Sequence, residues 1–388
     1  MVICAEKATP ADRSSDRVLA LSTGDPTMFE PYWRKMGDKG KVVIRGGDLM
    51  SYFSDMKNEC WFLEPELRDA IRRLHRVVGN AVTDDRHVVA GTGSTQLFQA
   101  LLYALTTPGG AEPVSVVSSA PYYSSYPEVV ELLRSELYKW AGDANTFDKD
   151  GPYIEVVCSP NNPDGAVRQA VVNRGDQRQV IYDLAYYWPQ YTAITGPADH
   201  DIMLFTSSKC TGHAGSRVGW AIVKDKDVAK KMIEYITISS IGVSKESQVR
   251  AAKIIGAVCD GCQGVGSDVE SDNFFEYARD IMSKRWQKVR QALDHQNEYL
   301  NNLIKYPRQR CLFTGEFTES LPAYAWLKCK GGIEDCEEFF SGRGIVGKGG
   351  KRFGADPKFN RISLLCREED FNLFVERLGA IARISNGL

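Results

Sequence analysis

From residue 85 to residue 225 short apolar runs alternate with amphipathic or turn-rich stretches. Val88–Ala90, Val114–Val117, Ile154–Val157, Val180–Tyr182, Ile202–Phe205 and Trp220–Val223 read as short strands. That rhythm predicts a mainly parallel sheet with helices on both faces. Upstream, Pro65 stands where proline suits a first helical turn, and Leu67, Ala70, Ile71, Leu74 and Val78 keep helical spacing behind it. Asp260 to Asp272, rich in Gly, Ser and Asp, reads as a flexible loop before a helix carrying Phe274, Phe275, Ile281, Trp286, Val289 and Leu293. After Cys311 the pattern changes to short strands, Ala323–Leu327 and Arg361–Leu365, with a closing helix from Phe371 to Ile384. Residues 1–17 are polar and are expected to fray.

Composition narrows the class. The chain has 388 residues, enough for two domains and a sizeable core. Its 48 basic and 50 acidic residues give a net charge of −2, which offers no reason to expect nucleic acid or an anionic membrane as partner. No apolar run approaches a membrane span, and none at the N-terminus suits a signal peptide. Asn-x-Ser/Thr sequons are absent. The ten cysteines scatter through strands and loops and are expected to be reduced thiols, so the expected compartment is the cytoplasm. Cys259 and Cys262 have metal or redox spacing, but no second Cys or His pair accompanies them, so they read as two thiols in a loop with no metal.

Four segments carry candidate chemistry. Ile202–Phe205 runs into Ser207-Ser208-Lys209, and Arg217 follows eight residues after the lysine. One cofactor bearing an aldehyde and a phosphate could engage both, the amine condensing with the aldehyde and the guanidinium gripping the phosphate. Ser159-Pro160-Asn161-Asn162-Pro163-Asp164-Gly165 follows the Ile154–Val157 strand. A turn explains that composition fully, but its place is where open α/β sheets put ligand groups. Asp183 ends the Val180–Tyr182 strand and could pair with a cation, cap a helix, or keep a pyridine nitrogen protonated; Tyr186 follows three residues later. Gly91-Thr92-Gly93-Ser94-Thr95 leads into a helix, whose free N–H groups with the hydroxyls of Ser94 and Thr95 make a phosphate cradle.

This constellation resembles the fold-type I aminotransferases, which use pyridoxal 5′-phosphate. The run from Ser208-Lys209 through Arg217 to Trp220-Ala221 is similar to the plant alliinase and tryptophan aminotransferase family. Arg45 to Asp55, Trp61 to Pro65, Asp183 to Pro189 and Ile241 to Gln248 point the same way. The resemblance covers residues 20–380. It implies a large domain at 58–262 that binds the cofactor, and a smaller α+β domain built from 263–388 with the N-terminal segment 1–57.

The resemblance also distributes roles. Lys209 is the expected catalytic lysine. The cofactor would be held by Ser94, Thr95, Asn162, Asp183, Tyr186, Thr206, Ser207, Ser208, Lys209 and Arg217. Tyr123, in Ala120-Pro121-Tyr122-Tyr123, would stack on the cofactor ring, although an aromatic after a strand is commonly plain packing. Tyr52 would reach the phosphate of a neighbouring subunit in a homodimer; a buried tyrosine is the plain alternative. Arg361 would clamp the substrate α-carboxylate, with Gly24 beside the substrate; an arginine entering a strand is otherwise commonly a salt-bridge partner. His213 reads as a loop residue near the site, since Lys209 can itself be the base.

The implied reaction is ping-pong transamination between amino acids and 2-oxo acids. The expected donor is L-tryptophan, extending to other aromatic amino acids, and the product indole-3-pyruvate for auxin synthesis, with 2-oxoglutarate or pyruvate as acceptor. Two alternatives stand beside it: a lyase of the alliinase type that expels a sulfur group from Cβ, and a catalytically idle cofactor-binding protein. Alliinases carry an N-terminal Cys-rich module and a secretory signal that are not seen here, and an intact Lys209, Asp183, Arg217 and Arg361 set speaks against an idle protein.

Overall fold

The structure is a computed structural model that describes residues 17–110, 112–172, 178–264, 272–293, 300 and 306–383. The expectation for residues 1–16, most of the Asp260–Asp272 loop and residue 384 therefore lie outside the described residues.

A seven-stranded sheet forms the middle of the molecule. Its order across the sheet is His87–Gly91, Gly219–Val223, Ile202–Thr206, Arg178–Asp183, Tyr153–Cys158, Val114–Ser118, Tyr138–Asp143. Gly219–Val223 runs antiparallel to both neighbours, and the other pairings are parallel. The inner strands are buried on both faces, which is why they read as continuous apolar runs without alternation. Tyr138–Asp143, at the edge, has a mixed pattern and gave no strand signal in the sequence.

The helices follow from local signals. Pro65–Val78 has its proline in the first turn, buries Leu67, Ile71, Leu74 and Val78, and ends at Gly79 with φ +73°. Lys226–Ser240 starts at Asp225, whose carboxylate accepts from the Asp227 and Val228 N–H groups. Lys245–Cys262 is capped by Ser244. This last helix corrects one expectation: Cys259 and Cys262 lie on its final turn and not in a loop, and burial pushes their thiols up, to about 11 and about 12. Buried thiols of that kind are poor nucleophiles.

A smaller three-stranded antiparallel sheet joins Tyr324–Lys328, Phe359–Ser363 and Lys348–Gly349, in that order. Phe274–Leu293 and Glu368–Arg383 pack together beside it. The N-terminal strand Leu19–Ala20 pairs with Ile345–Val346, which ties the start of the described chain to this C-terminal part. The structure also joins Cys329 and Cys336 as a disulfide, against the expectation that every thiol is reduced. The chain leaves the Tyr324–Lys328 strand and returns at the helix Cys336–Ser341, bringing two cysteines seven residues apart face to face. No helix among the described residues is long and apolar enough to cross a membrane.

Candidate active site

The site lies where the C-terminal ends of the large-sheet strands meet the small sheet. Strand Ile202–Thr206 ends in a single helical turn, Ser207–Cys210, and Thr206 caps it by accepting from the Ser208 N–H. That turn projects the Lys209 amine, which donates to the Gly24 carbonyl and lies 6.0 Å from the centre of the Tyr186 ring. A Cβ at Gly24 would collide with the Tyr324 hydroxyl, and glycine lets the two segments pass this closely.

Asp183 ends the adjacent strand and is buried. Its carboxylate accepts from the Tyr126 hydroxyl at 2.8 Å and from the Ala185 N–H at 3.1 Å. Burial raises its pKa, and those two donors only partly oppose the rise. Tyr123 crosses Tyr126 edge-on, with ring centres 5.4 Å apart, and burial raises its phenol as well.

On the other side, Arg361 projects from the small sheet and is 3 % exposed. It donates to Asn162 Oδ1 at 2.8 Å and to the Ser22 carbonyl, and its guanidinium lies 4.1 Å from the Tyr324 ring centre. Its Nε is buried and makes no hydrogen bond. Asn162 is thus aimed at Arg361, while the Tyr186 hydroxyl meets that of Tyr324.

The remaining candidates gather at the N-terminus of the helix Gly93–Ala104. Arg217 adopts a left-handed backbone with φ +52° and approaches Gly93 so closely that a Cβ there would meet its guanidinium. A Cβ on Gly219 would strike the Ser94 N–H nitrogen at 2.7 Å, so the strand that follows Arg217 is pressed against the helix start. Arg217 donates to the Ala214 carbonyl and, at 3.5 Å, to the Ser208 hydroxyl. Arg217 and Thr95 are exposed and Ser94 is half-buried. The Thr206 and Ser207 hydroxyls both reach the Val218 carbonyl. Tyr52 stands apart from this set and is 68 % exposed. His213 packs edge-on against Trp33, and burial, reinforced by Arg250, lowers it to about 4, so it is a neutral wall residue.

Two members of the site gave no signal in the sequence as functional residues. Tyr324 sits in an apolar strand whose pattern marks only packing, yet it touches both Arg361 and Tyr186. Tyr126 lies in the first turn of the helix Ser125–Leu132 and reaches Asp183 across 57 residues, a contact that no local spacing marks.

Among the described residues, Lys209, Arg217 and Arg361 form no ion pair with a carboxylate, and Asp183 forms none with a cation.

Comparison with known proteins gives the family. The family model described as "Allinase" matches residues 19–382. The chain is 51 % identical to tryptophan aminotransferase-related protein 2 of Arabidopsis thaliana over 368 residues, covering 95 % of this chain and 82 % of the relative. It is 35 % identical to an alliin lyase of Allium cepa, covering 95 % and 76 %. Among solved structures it is similar to an aspartate aminotransferase of Thermus thermophilus with maleate, at a TM-score of 0.64 and 18 % identity over 94 % of this chain and 92 % of that one. By the extent of these matches the chain belongs to the alliinase family, pyridoxal phosphate-dependent enzymes built on the fold-type I aminotransferase architecture.

Proposed function

We propose that this protein is a pyridoxal phosphate-dependent aminotransferase that takes the amino group of L-tryptophan, yields indole-3-pyruvate and passes the group to a 2-oxo acid. The observation that carries the reading is the set of uncompensated charges around Lys209. The donor set suits the cofactor part by part: an amine for the aldehyde, a buried carboxylate for a protonated ring nitrogen, a guanidinium and helix start for the phosphate. Arg361 remains, buried and without a carboxylate, for the α-carboxylate of the substrate.

When bound, pyridoxal phosphate supplies an electron sink that makes the substrate Cα proton removable. Arg361 would hold the substrate carboxylate on the side of the site that Tyr324 shares with it. Lys209 Nζ, within reach of the Gly24 carbonyl, is the base that takes that proton. Asp183, whose carboxylate accepts from Tyr126 and the Ala185 N–H, would be the partner that keeps the ring nitrogen protonated. Tyr186 and Tyr324 wall the space between the lysine and the arginine. The names of the half-identical relatives favour tryptophan as donor; the alliin lyase relative keeps a β-lyase as the second reading.

A homodimer belongs to this reading. The phosphate end of the site is open in the single chain, and Met50, Tyr52 and Met56 are exposed apolar or aromatic side chains. A neighbouring subunit would cover both.

The test is to incubate the holoenzyme with a panel of amino acids and either 2-oxoglutarate or pyruvate, and to identify the oxo acids formed. Indole-3-pyruvate that depends on the acceptor is the expected result. Release of pyruvate from an S-alkyl cysteine sulfoxide without any acceptor, and no product from tryptophan, would replace the transaminase with the lyase.

A further inference from the structure

Lys348 pairs directly opposite Arg361 at the edge of the small sheet. Directly opposed residues share a face, with Cβ atoms roughly 4.5–5.5 Å apart. Tyr324 is on that same face, because it opposes Ser363, two residues beyond Arg361. Two cations therefore stand side by side where the small sheet faces the site.

No carboxylate holds the lysine closely. Its amine donates to the Ser124 hydroxyl at 2.8 Å, one residue past Tyr123. Its carboxylate contact is Glu128 at 3.8 Å, a side chain 53 % exposed. A pair so long and so open to water is weak and can be exchanged for another anion. Burial, helped by Arg361 and Arg352, holds the amine below its ordinary pKa despite Glu128. Like charges on directly opposed positions are a cost to the sheet. An anion that bridges both would remove that cost.

We propose that Lys348 determines the amino acceptor: while Arg361 holds the α-carboxylate, Lys348 holds the second carboxylate of a dicarboxylic 2-oxo acid. The inference rests on the transaminase reading and deepens it. The aromatic donor has a single carboxylate and makes no claim on Lys348, so donor and acceptor half-reactions depend on it differently. No bond is made or broken at this residue; it discriminates by charge and position alone.

The experiment compares wild type, Lys348→Met and Lys348→Arg holoenzymes. The kcat/KM ratio for 2-oxoglutarate over pyruvate is measured, together with calorimetric binding of two unreactive acids, glutarate and butyrate. One charge-assisted contact corresponds to about a ten- to hundredfold change in affinity. Lys348→Met is expected to lower the acceptor ratio by that factor and to weaken glutarate but not butyrate. Lys348→Arg is expected to restore most of both. An unchanged ratio, or equal loss of glutarate and butyrate, overturns the proposal. Should wild type transfer no amino group to either acceptor, the transaminase reading fails by itself. The glutarate comparison then still decides Lys348: selective loss in Lys348→Met sustains it, and no selective loss ends it.

Discussion

The phenol oxygens of Tyr186 and Tyr324 lie 2.7 Å apart, although 138 residues separate them in the chain. One tyrosine follows a strand of the large sheet and the other belongs to the small sheet, so this contact is a seam of the site. Burial alone would raise the Tyr324 phenol, but the Lys209 ammonium, the Arg361 guanidinium and the Tyr186 hydrogen bond hold it below its ordinary value. Its partner Tyr186 is pushed up, by burial first and by Tyr324 next. Tyr324→Phe is therefore expected to remove an early-titrating component from the alkaline absorbance titration of the phenols. A titration curve identical to wild type would show that the two cations do not act on this hydroxyl.

A pH effect on stability comes from His75. Trp220 Nε1–H donates to its Nε2 at 2.9 Å, so Nδ1 carries the ring proton toward Asn80 Oδ1 at 2.8 Å. Burial lowers its pKa to about 4, with Asn80 opposing. An unfolded histidine takes its proton near 6.5. The folded form resists protonation, so the contribution is intact above pH 6.5 and is lost as the pH falls toward 4. By linkage the loss is about 3 kcal/mol. Urea unfolding of wild type and His75→Gln at pH 7 and pH 4 should show the wild type losing more stability by roughly that amount; parallel losses would remove His75 as the cause.

Asp183 and Arg217 are expected to separate chemistry from capture. Asp183→Ala should lower kcat by several orders of magnitude, while the holoenzyme still assembles at high cofactor concentration. Arg217→Ala should chiefly weaken cofactor affinity. One charge-assisted contact is worth about 1.5–3 kcal/mol, or a ten- to hundredfold change. Cofactor titrations and steady-state rates on the two variants decide it, and matching behaviour would show that the roles are not divided.

Lys209 is expected to carry the cofactor covalently. Borohydride reduction of the holoenzyme should fix it to the peptide that contains Lys209, as mass spectrometry would locate. Label on Lys224 or Lys348 would contradict the assignment.

Tyr52 tests the shared site. Mixing inactive Tyr52→Ala and Lys209→Ala chains should create heterodimers in which one site has both residues intact, with activity recovering to a fraction of wild type. Full subunit exchange with no recovery, or an active monomer by sedimentation, would take Tyr52 out of the partner's site.

Lys209, Asp183, Asn162 and Arg217 are legible in the sequence as candidates because each sits next to a strand end or tight turn, and such junctions are encoded over a few residues. The apolar runs likewise determined the inner strands and the Pro65–Val78 helix, since burial on both faces leaves a continuous hydrophobic signature. The edge strand Tyr138–Asp143 escaped because its half-solvated pattern resembles a loop. Cys259 and Cys262 were misplaced because Gly, Ser and Asp suggested a loop where tertiary packing continued a helix. Only the tertiary structure brought Arg361 onto Asn162, Tyr324 onto Tyr186 and Lys348 opposite Arg361. These pairings depend on the docking and register of separate strands, which no local run of residues specifies. The sequence therefore marks polar groups at strand ends and turns as candidates, and the fold decides which of them meet and adds Tyr126, Tyr324 and Lys348 to them.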